Sequence, residues 1–299
     1  MEKEIIFDKF NYSMPINIRN WDTMKRLTKA IILLILTNLS ISIFAQPSRI
    51  VSGEKRPAPA QQRYFSPFKP KLSKEQEQKL FPNSSDLNKY AEFLKSDKTG
   101  LIRIFPELDC ESRYVLRADE VCAENIPGSS NYSFRKKEYT NDFLADIRLK
   151  GRLFISDGVL TQSFLVNLGD IQLENLALNS DGMEFLTKFN PEPENRDAMK
   201  QYNDLANGIR LGKYEYRKVA VAAENTTYAI RVVAYKASIY RNYRGWAYNI
   251  LDGDKRVDII VAFRVIRKDP DGSLTLLWKE LDRKKSVKLK ATKPNEKKK

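Results

Sequence analysis

The chain of 299 residues contains no histidine. This absence excludes Ser-His-Asp and Cys-His catalysis, excludes zinc sites with histidine ligands, and removes the commonest general base near neutral pH. Glycine-rich phosphate-binding loops are absent as well. Enzymes that use paired carboxylates, a Ser-Lys pair, or tyrosine with lysine remain open. The sequence therefore identifies no catalytic residue, no metal ligand and no cofactor.

Cysteine is nearly absent too, since the chain has only Cys110 and Cys122. In an exported protein such a pair is expected to close a local loop as a disulfide, which stabilises a fold by about 3 kcal/mol. A redox or metal role is the alternative. That role lacks both the C-x-x-C spacing and a histidine partner, so we expect the disulfide.

The sequence has no apolar run of the roughly 20 residues that a membrane-spanning helix needs. Its strongest run, Ala30–Leu36, follows a positive segment at residues 25–29, and Ala45 offers a small residue for cleavage. This order predicts a signal peptide over residues 24–45. We therefore expect an exported protein, in the periplasm, the cell envelope or the medium. The alternative is a membrane anchor retained at residues 30–45.

Composition divides the rest of the chain. Residues 1–23 carry a net charge of −1, unlike a signal peptide, so we expect translation to start at Met24 and this part to be a non-native extension. Residues 46–71 hold five prolines, which predicts a disordered lead-in.

Residues 72–282 show no internal boundary and are expected to form a single domain. Residues 283–299 are expected to form a basic, disordered tail.

The net charge of +14 is concentrated at the C-terminus, because residues 283–299 contribute +8 while residues 46–282 contribute only +4. The mildly basic body does not indicate a specific nucleic-acid partner. The tail is either a solvated end or a surface that adheres to an anionic polymer or lipid. The second hypothesis assigns the contact to Lys284, Lys285, Lys288, Lys290, Lys297, Lys298 and Lys299.

Strand-like alternation of apolar residues dominates the second half of the chain. The pair Asp157-Gly158 predicts a tight hairpin between strands at residues 148–155 and 159–168. The strand that begins at Val257 is apolar on both faces, which indicates a central position. A turn at residues 268–272 then predicts a second hairpin.

Helical spacing is limited to a few segments. Asn190 and the prolines after it indicate a helix entry, with Gly208 near the end of the helix. The apolar face of this helix is expected to consist of Met199, Tyr202, Leu205 with Ala206, and Ile209. About eight strands and two or three helices in separate runs predict an α+β fold. We expect a mainly antiparallel sheet with the helices packed on it.

Two segments, Val261–Lys279 and Asn167–Glu174, resemble a group of exported bacterial proteins with no assigned activity. The resemblance lies mainly in the C-terminal hairpin. It implies a secreted or envelope protein and transfers no catalytic residue to this chain.

The densest unusual stretch is 235–248, where five aromatic residues alternate with three basic ones. Aromatic rings stack on sugar faces and arginine pairs with anionic groups, so this stretch is a candidate binding surface. The alternative is that its rings simply pack on the sheet. The predicted ligand contacts are Tyr240, Arg241, Tyr243, Arg244, Trp246 and Tyr248.

These observations favour an exported binding or structural protein for an envelope glycan or an anionic polymer. The main rival is an extracytoplasmic glycan hydrolase, which needs two carboxyl groups about 5–10 Å apart across a cleft. Its acids would come from a set whose distances the sequence does not specify: Asp142, Asp146, Asp157, Asp170 and Glu174.

Overall fold

The structure is a computed structural model that describes residues 72–108, 122, 125–243 and 246–290. The predicted signal peptide, the proline-rich residues 46–71 and Cys110 lie outside the described residues, as do residues 291–299. The predictions of export and of a disulfide to Cys122 therefore stay predictions.

Four α-helices occur in the described part of the chain. The first is capped by Ser73, whose hydroxyl accepts from the backbone of Gln76 while the Gln76 side chain accepts from the backbone of Ser73. The fourth ends at Gly208, whose φ of 91° suits glycine. The helices are α1 (Lys74–Leu80), α2 (Ser84–Lys89), α3 (Glu184–Lys188) and α4 (Asn195–Asn207), and two 3-10 helices span Phe93–Lys95 and Leu173–Asn175.

Fourteen strands, all in antiparallel pairs, form three sheets within the described residues. The strands are β1 (Thr99–Ile104), β2 (Asn131–Ser133), β3 (Glu138–Tyr139), β4 (Ile147–Lys150), β5 (Leu153–Ile155), β6 (Thr161–Gly169), β7 (Ile209–Leu211), β8 (Tyr214–Arg217), β9 (Val219–Val221), β10 (Thr227–Ala234), β11 (Tyr240–Tyr243), β12 (Trp246–Asn249), β13 (Val257–Lys268) and β14 (Leu274–Lys285). The strand orders are β1-β14-β13-β10-β6-β8-β7, β3-β2-β4-β5-β9 and β11-β12.

The main core lies between the seven-stranded and the five-stranded sheets. Phe154 of β5 meets Phe263 of β13 edge to face, with ring centroids 5.2 Å apart. The other face of the seven-stranded sheet buries Phe164 against Leu186 of α3 and Leu205 of α4. The layers are therefore a small sheet, a large sheet and a set of short helices.

The structure confirms a mostly antiparallel sheet with few helices, which fits an α+β or a mainly β class. The expected number of about eight strands is wrong, because fourteen strands are present in the described residues. Most of the uncounted strands are only two to four residues long. Such strands are too short to show an alternating pattern in sequence.

The predicted C-terminal hairpin is confirmed, since β13 and β14 pair along their length and Gly272 has a φ of 79° in the turn. β13 lies between β14 and β10, which matches its two apolar faces. The last strand extends to Lys285, past the domain end expected at residue 282. Lys288 then forms a parallel bridge with Lys236. The residues from 283 to 290 therefore belong to the fold.

The predicted hairpin at Asp157-Gly158 is wrong. β5 pairs with β4 and β9, whereas β6 pairs with β10 and β8 in the other sheet. Asp157-Gly158 therefore begins a connection that crosses from one sheet to the other. The predicted apolar face of α4 is confirmed at Leu205, which is buried, but is wrong at Met199, which is 55% exposed; Ala198 is buried instead. Among the described residues, no helix is long and apolar enough to cross a membrane.

Candidate functional site

The aromatic stretch forms a hairpin at one end of the seven-stranded sheet. β10 ends at Ala234 and β13 begins at Val257, and the connection between them folds back on itself as β11 and β12. β14 ends at Lys285, which pairs with Val257. The aromatic stretch and the basic C-terminal segment, which are about 40 residues apart in sequence, therefore meet at the same end of the sheet.

The register of the β11–β12 hairpin places the predicted residues on two faces. Arg241 lies opposite Tyr248, and Trp246 is two residues away from Tyr248 on the same strand. Because side chains alternate along a strand, these three share one face and Tyr240 lies on the other. Trp246 is 64% exposed and Tyr240 is 70% exposed. The hairpin thus offers an aromatic and cationic face to solvent.

The remaining residues of the aromatic stretch differ in environment. Arg244 and the side chain of Tyr243 lie outside the described residues. Tyr248 is partly buried. Tyr235 is buried, and its hydroxyl donates to Oε1 of Gln162 at 2.8 Å. Burial is the main cause that raises the pKa of Tyr235. Tyr235 therefore belongs to the core, as the packing alternative expected.

A buried network of charges anchors the base of the hairpin. Oδ2 of Asp254 accepts from Arg135 and from Arg256, each at 2.8 Å. Arg135 also pairs with Oδ1 of Asp146 at 2.6 Å. Burial alone would raise the pKa of Asp254, but Arg135 and Arg256 outweigh it and hold this pKa below its ordinary value. Asp146, one of the acids considered for hydrolysis, is thus part of a structural ion pair.

Lysines surround the base of the hairpin. Lys236 follows β10 and is bridged to Lys288 of the C-terminal segment. Lys284 and Lys285 end β14 and are exposed. The Nζ of Lys284 is 3.9 Å from the carboxylate of Asp258, which already forms a buried ion pair with an arginine. The same Nζ lies 4.0 Å from Oδ2 of Asp282, so Lys284 is shared between two acids. Lys236, Lys285 and Lys288 are exposed and form no ion pair within the described residues, so they supply the positive charge of this surface.

The predicted lysine contacts beyond β14 are only partly available for a ligand. The Nζ of Lys290 lies 3.7 Å from Glu194, so an acid of the protein already partners this lysine. The lysines of the last three positions lie outside the described residues. We call the remaining surface the basic–aromatic end. It consists of Arg241, Trp246 and Tyr248 with Lys236, Lys284, Lys285 and Lys288.

A second candidate site, which the sequence did not indicate, is a cavity of about 530 Å³ between the start of α4 and the connection from β5 to β6. We call it the α4 cavity. Its apolar lining consists of Phe143, Val159, Leu160, Ala198, Met199 and Leu289, and its polar lining includes Asp142, Arg148, Asp157, Gln162, Tyr202 and Tyr235. These residues come from widely separated parts of the chain. The only local signal was Asp157-Gly158, whose pattern is also that of a hairpin turn.

Asp157 is held by two donors at the side of the α4 cavity. The Nζ of Lys218 lies 2.5 Å from its Oδ1, and the hydroxyl of Tyr202 donates to the same oxygen at 2.9 Å. The Lys218 ammonium also sits 3.4 Å from the centre of the Tyr202 ring. Burial lowers the pKa of Lys218 against the opposing effect of Asp157. Burial and then Asp157 raise the pKa of Tyr202 to about 12.

The acids considered for glycan hydrolysis are therefore only partly brought together. Asp142 and Asp157 line the same cavity. Asp170 lies elsewhere and pairs with Arg264 at 2.6 Å. Lys218 and Tyr202 both contact Oδ1 of Asp157, so Asp157 is the acid of an ion pair and the two acids of the cavity differ in environment.

Hydrogen bonds hold the inner wall of the α4 cavity in place. Gln162 accepts from Tyr235 and donates from Nε2 to the carbonyl of Ala198 at 2.6 Å. Arg256 donates from Nη2 to the carbonyls of Val159 and Leu160. By contrast, Nε of Arg148 is buried and has no hydrogen-bond partner in the part of the chain that the structure describes.

The described residues contain no group of three or more acids or cysteines arranged to hold a metal ion. No family model, no curated protein and no solved structure matches the chain. The two sites themselves therefore carry the information about function.

Proposed function

We propose that this protein is an exported, non-catalytic binding protein that holds an anionic polymer of the bacterial cell envelope at its basic–aromatic end. The observation that supports this proposal is the meeting of the β11–β12 hairpin with the end of β14. Export rests on the predicted signal peptide. The resemblance to exported bacterial proteins points the same way.

The chemistry of the surface suits a charged glycan. The indole of Trp246 is exposed and can stack on the apolar face of a sugar ring. Arg241 on the same face can pair with a carboxylate or phosphate through two parallel hydrogen bonds. Lys284 and Lys285 supply further positive charge beside the hairpin. A polymer with repeating negative charges would contact the hairpin face and these two lysines at the same time.

The binding function is favoured over glycan hydrolysis for a specific reason. Hydrolysis needs two working carboxyl groups about 5–10 Å apart. The α4 cavity contains Asp142 and Asp157, but the Asp157 carboxylate is already engaged by Lys218 and Tyr202. The indole of Trp246 on the hairpin, by contrast, is 64% exposed.

The test is calorimetric titration of the full chain with polygalacturonate, a carboxylated glycan, and with neutral dextran. We expect binding to polygalacturonate and none to dextran. Trp246→Ala and Arg241→Ala should each weaken binding about tenfold, since a charge-assisted contact contributes about 1.5–3 kcal/mol. Tyr240→Ala is the matched control, because this equally exposed ring lies on the opposite face of the hairpin.

Two outcomes would overturn the proposal. One is equal binding to dextran and polygalacturonate, and the other is an equal loss of affinity in Tyr240→Ala and Trp246→Ala. A parallel titration with phosphatidylglycerol vesicles separates a polymer ligand from a lipid surface. Tighter binding to the vesicles than to the polymer would contradict the polymer assignment.

A further inference from the structure

We propose that the α4 cavity binds a small amphipathic carboxylic acid, with the carboxylate at Arg148 and the apolar body along α4. This site is independent of the basic–aromatic end, so it adds a second ligand to the proposed function. Three features support it: the size of the cavity, its apolar lining, and Arg148, a lining residue without an ion pair among the described residues.

The size of the α4 cavity fits a small molecule. Its volume of about 530 Å³ falls within the roughly 300–1,000 Å³ range of small-molecule sites. The site is also preformed, because hydrogen bonds from Arg256 hold the carbonyls of Val159 and Leu160 in place. A preformed site loses little conformational freedom when it binds.

The lining of the cavity indicates an apolar ligand body. Val159, Leu160 and Leu289 contribute aliphatic surface, and Ala198 lets the ligand approach the backbone of α4. At the rim, Phe143 and Met199 are each 55% exposed. Large apolar side chains grouped at the mouth of a cavity lose water contact when a ligand fills it, and this burial favours binding.

The polar groups inside the cavity indicate the sign of the ligand charge. Gln162 already has partners for both atoms of its amide. The negative charge of Asp157 is paired with Lys218. Asp142 is exposed at the rim, where water screens its charge. Arg148 is different, because it lines the cavity and forms no ion pair with any described acid.

A guanidinium that lines an apolar cavity without an ion-pair partner among the described residues is best satisfied by an anion, which would meet the terminal Nη atoms because Nε is buried. A carboxylate offers two oxygens in a plane, which matches the geometry of the guanidinium group. The combination of one cation and a long apolar wall therefore selects an acid with an apolar tail. A polyanion would be rejected, since it would bring further negative charges towards Asp142 and Asp157.

The experiment uses the full chain with methyl-labelled methionine and two probes, decanoate and decanol. NMR spectra of the methyl groups report the site directly, because Met199 lines the cavity while Met183 is buried in a different part of the core. We expect saturable shifts of the Met199 signal with decanoate and no shift of the Met183 signal. Decanol should bind at least tenfold more weakly, because it lacks the charge that pairs with Arg148.

Two variants complete the test. Arg148→Gln should weaken decanoate at least tenfold and leave decanol unchanged. Arg152→Gln is the matched control on the same β4–β5 hairpin, since this arginine is exposed and does not line the cavity. Equal affinity for decanoate and decanol, equal effects of the two variants, or no shift at Met199 would each overturn the proposal. Polygalacturonate binding should be unchanged in Arg148→Gln, which separates this result from the test of the proposed function.

Discussion

Arg256 donates from Nη2 to the carbonyl oxygen of Leu160 at 2.6 Å, and from Nε to the carbonyl of Tyr235 at 2.8 Å. Both acceptor residues line the α4 cavity, while Arg256 itself ends the connection that carries the aromatic hairpin. Leu160 has a φ of 47°, a left-handed conformation that costs a leucine about 1–2 kcal/mol. Arg256 therefore holds a strained wall of the cavity in place.

Replacing Arg256 with glutamine should lower the free energy of unfolding by about 3 kcal/mol, because the change removes one partner of the buried Asp254 carboxylate. Denaturant unfolding measures the change. Arg196→Gln is the control, since its side chain is 75% exposed and 3.6 Å from Asp197. That control should change the free energy by less than about 0.5 kcal/mol. Equal losses of unfolding free energy in the two variants would show that the Arg256 contacts stabilise the fold no more than an exposed ion pair does.

The buried charge network should make the protein sensitive to acid. Because Arg135 and Arg256 hold the folded-state pKa of Asp254 below the ordinary value near 3.9, this carboxylate stabilises the fold above that value. Its contribution is lost as the pH falls through the lower, folded-state pKa. Asp254→Asn should be less stable at pH 7 by about 3–5 kcal/mol.

The difference between wild type and Asp254→Asn should therefore shrink as the pH falls below about 4. Thermal unfolding from pH 7 to pH 2 measures it. Asp252→Asn is the control, because Asp252 is an exposed acid of the same connection. A difference that stays constant down to pH 2 would exclude Asp254 as the source of the acid sensitivity.

Gly100 and Trp278 face each other across β1 and β14, and the indole lies where a side chain at position 100 would be. A Cβ atom on Gly100 would lie 2.5 Å from the indole ring. Gly100→Ala should therefore cost about 1–3 kcal/mol through overpacking and change the near-ultraviolet spectrum of the tryptophans. Adding Trp278→Phe to Gly100→Ala should restore part of the lost stability, because the smaller ring leaves room for the added methyl group.

A matched glycine separates packing from backbone effects. Gly151 has a φ of 57° and nothing within 4 Å of a Cβ atom. Gly151→Ala should cost about 1 kcal/mol through conformation alone and leave the tryptophan signal unchanged. If Gly100→Ala leaves this signal unchanged as well, the contact with Trp278 is looser than the structure indicates.

The lysines at the end of β14 should contribute a salt-dependent part of polymer binding. Replacing Lys284 and Lys285 with serine should weaken polygalacturonate about threefold to tenfold at low ionic strength, and less at about 0.5 M salt, where exposed charges are screened. Lys268→Ser is the control, because Lys268 is exposed at the opposite end of the same hairpin. Equal weakening per lysine removed, expressed as a free energy, would mean that polymer binding follows net charge alone.

The prediction of export is tested by the intact mass of the protein purified from its own cells. We expect a chain that begins at Gln46 and gains no mass on thiol alkylation without reductant, because Cys110 and Cys122 would be joined. A mass that begins at Met1 or Met24, with two alkylated thiols, would favour the anchored alternative and contradict the assignment to an exported protein.

The sequence by itself determined the parts of the fold whose signals are local. The turn at residues 268–272 and the long apolar alternation of β13 specify the C-terminal hairpin and its central position. The prolines after Asn190 and the glycine at 208 delimit α4 closely. These features depend on neighbours in the chain, so a pattern of a few residues is sufficient to predict them.

Only the tertiary structure decided how distant segments combine. Asp157-Gly158 has the pattern of a hairpin turn, yet it crosses between two sheets. β6 lies between β10 and β8, where seven of its nine residues are buried. The same crossing creates the α4 cavity and brings Asp157 to Lys218. The meeting of the aromatic hairpin with the end of β14 likewise depends on strand order. Strand order is set by long-range packing, which no short window of sequence contains.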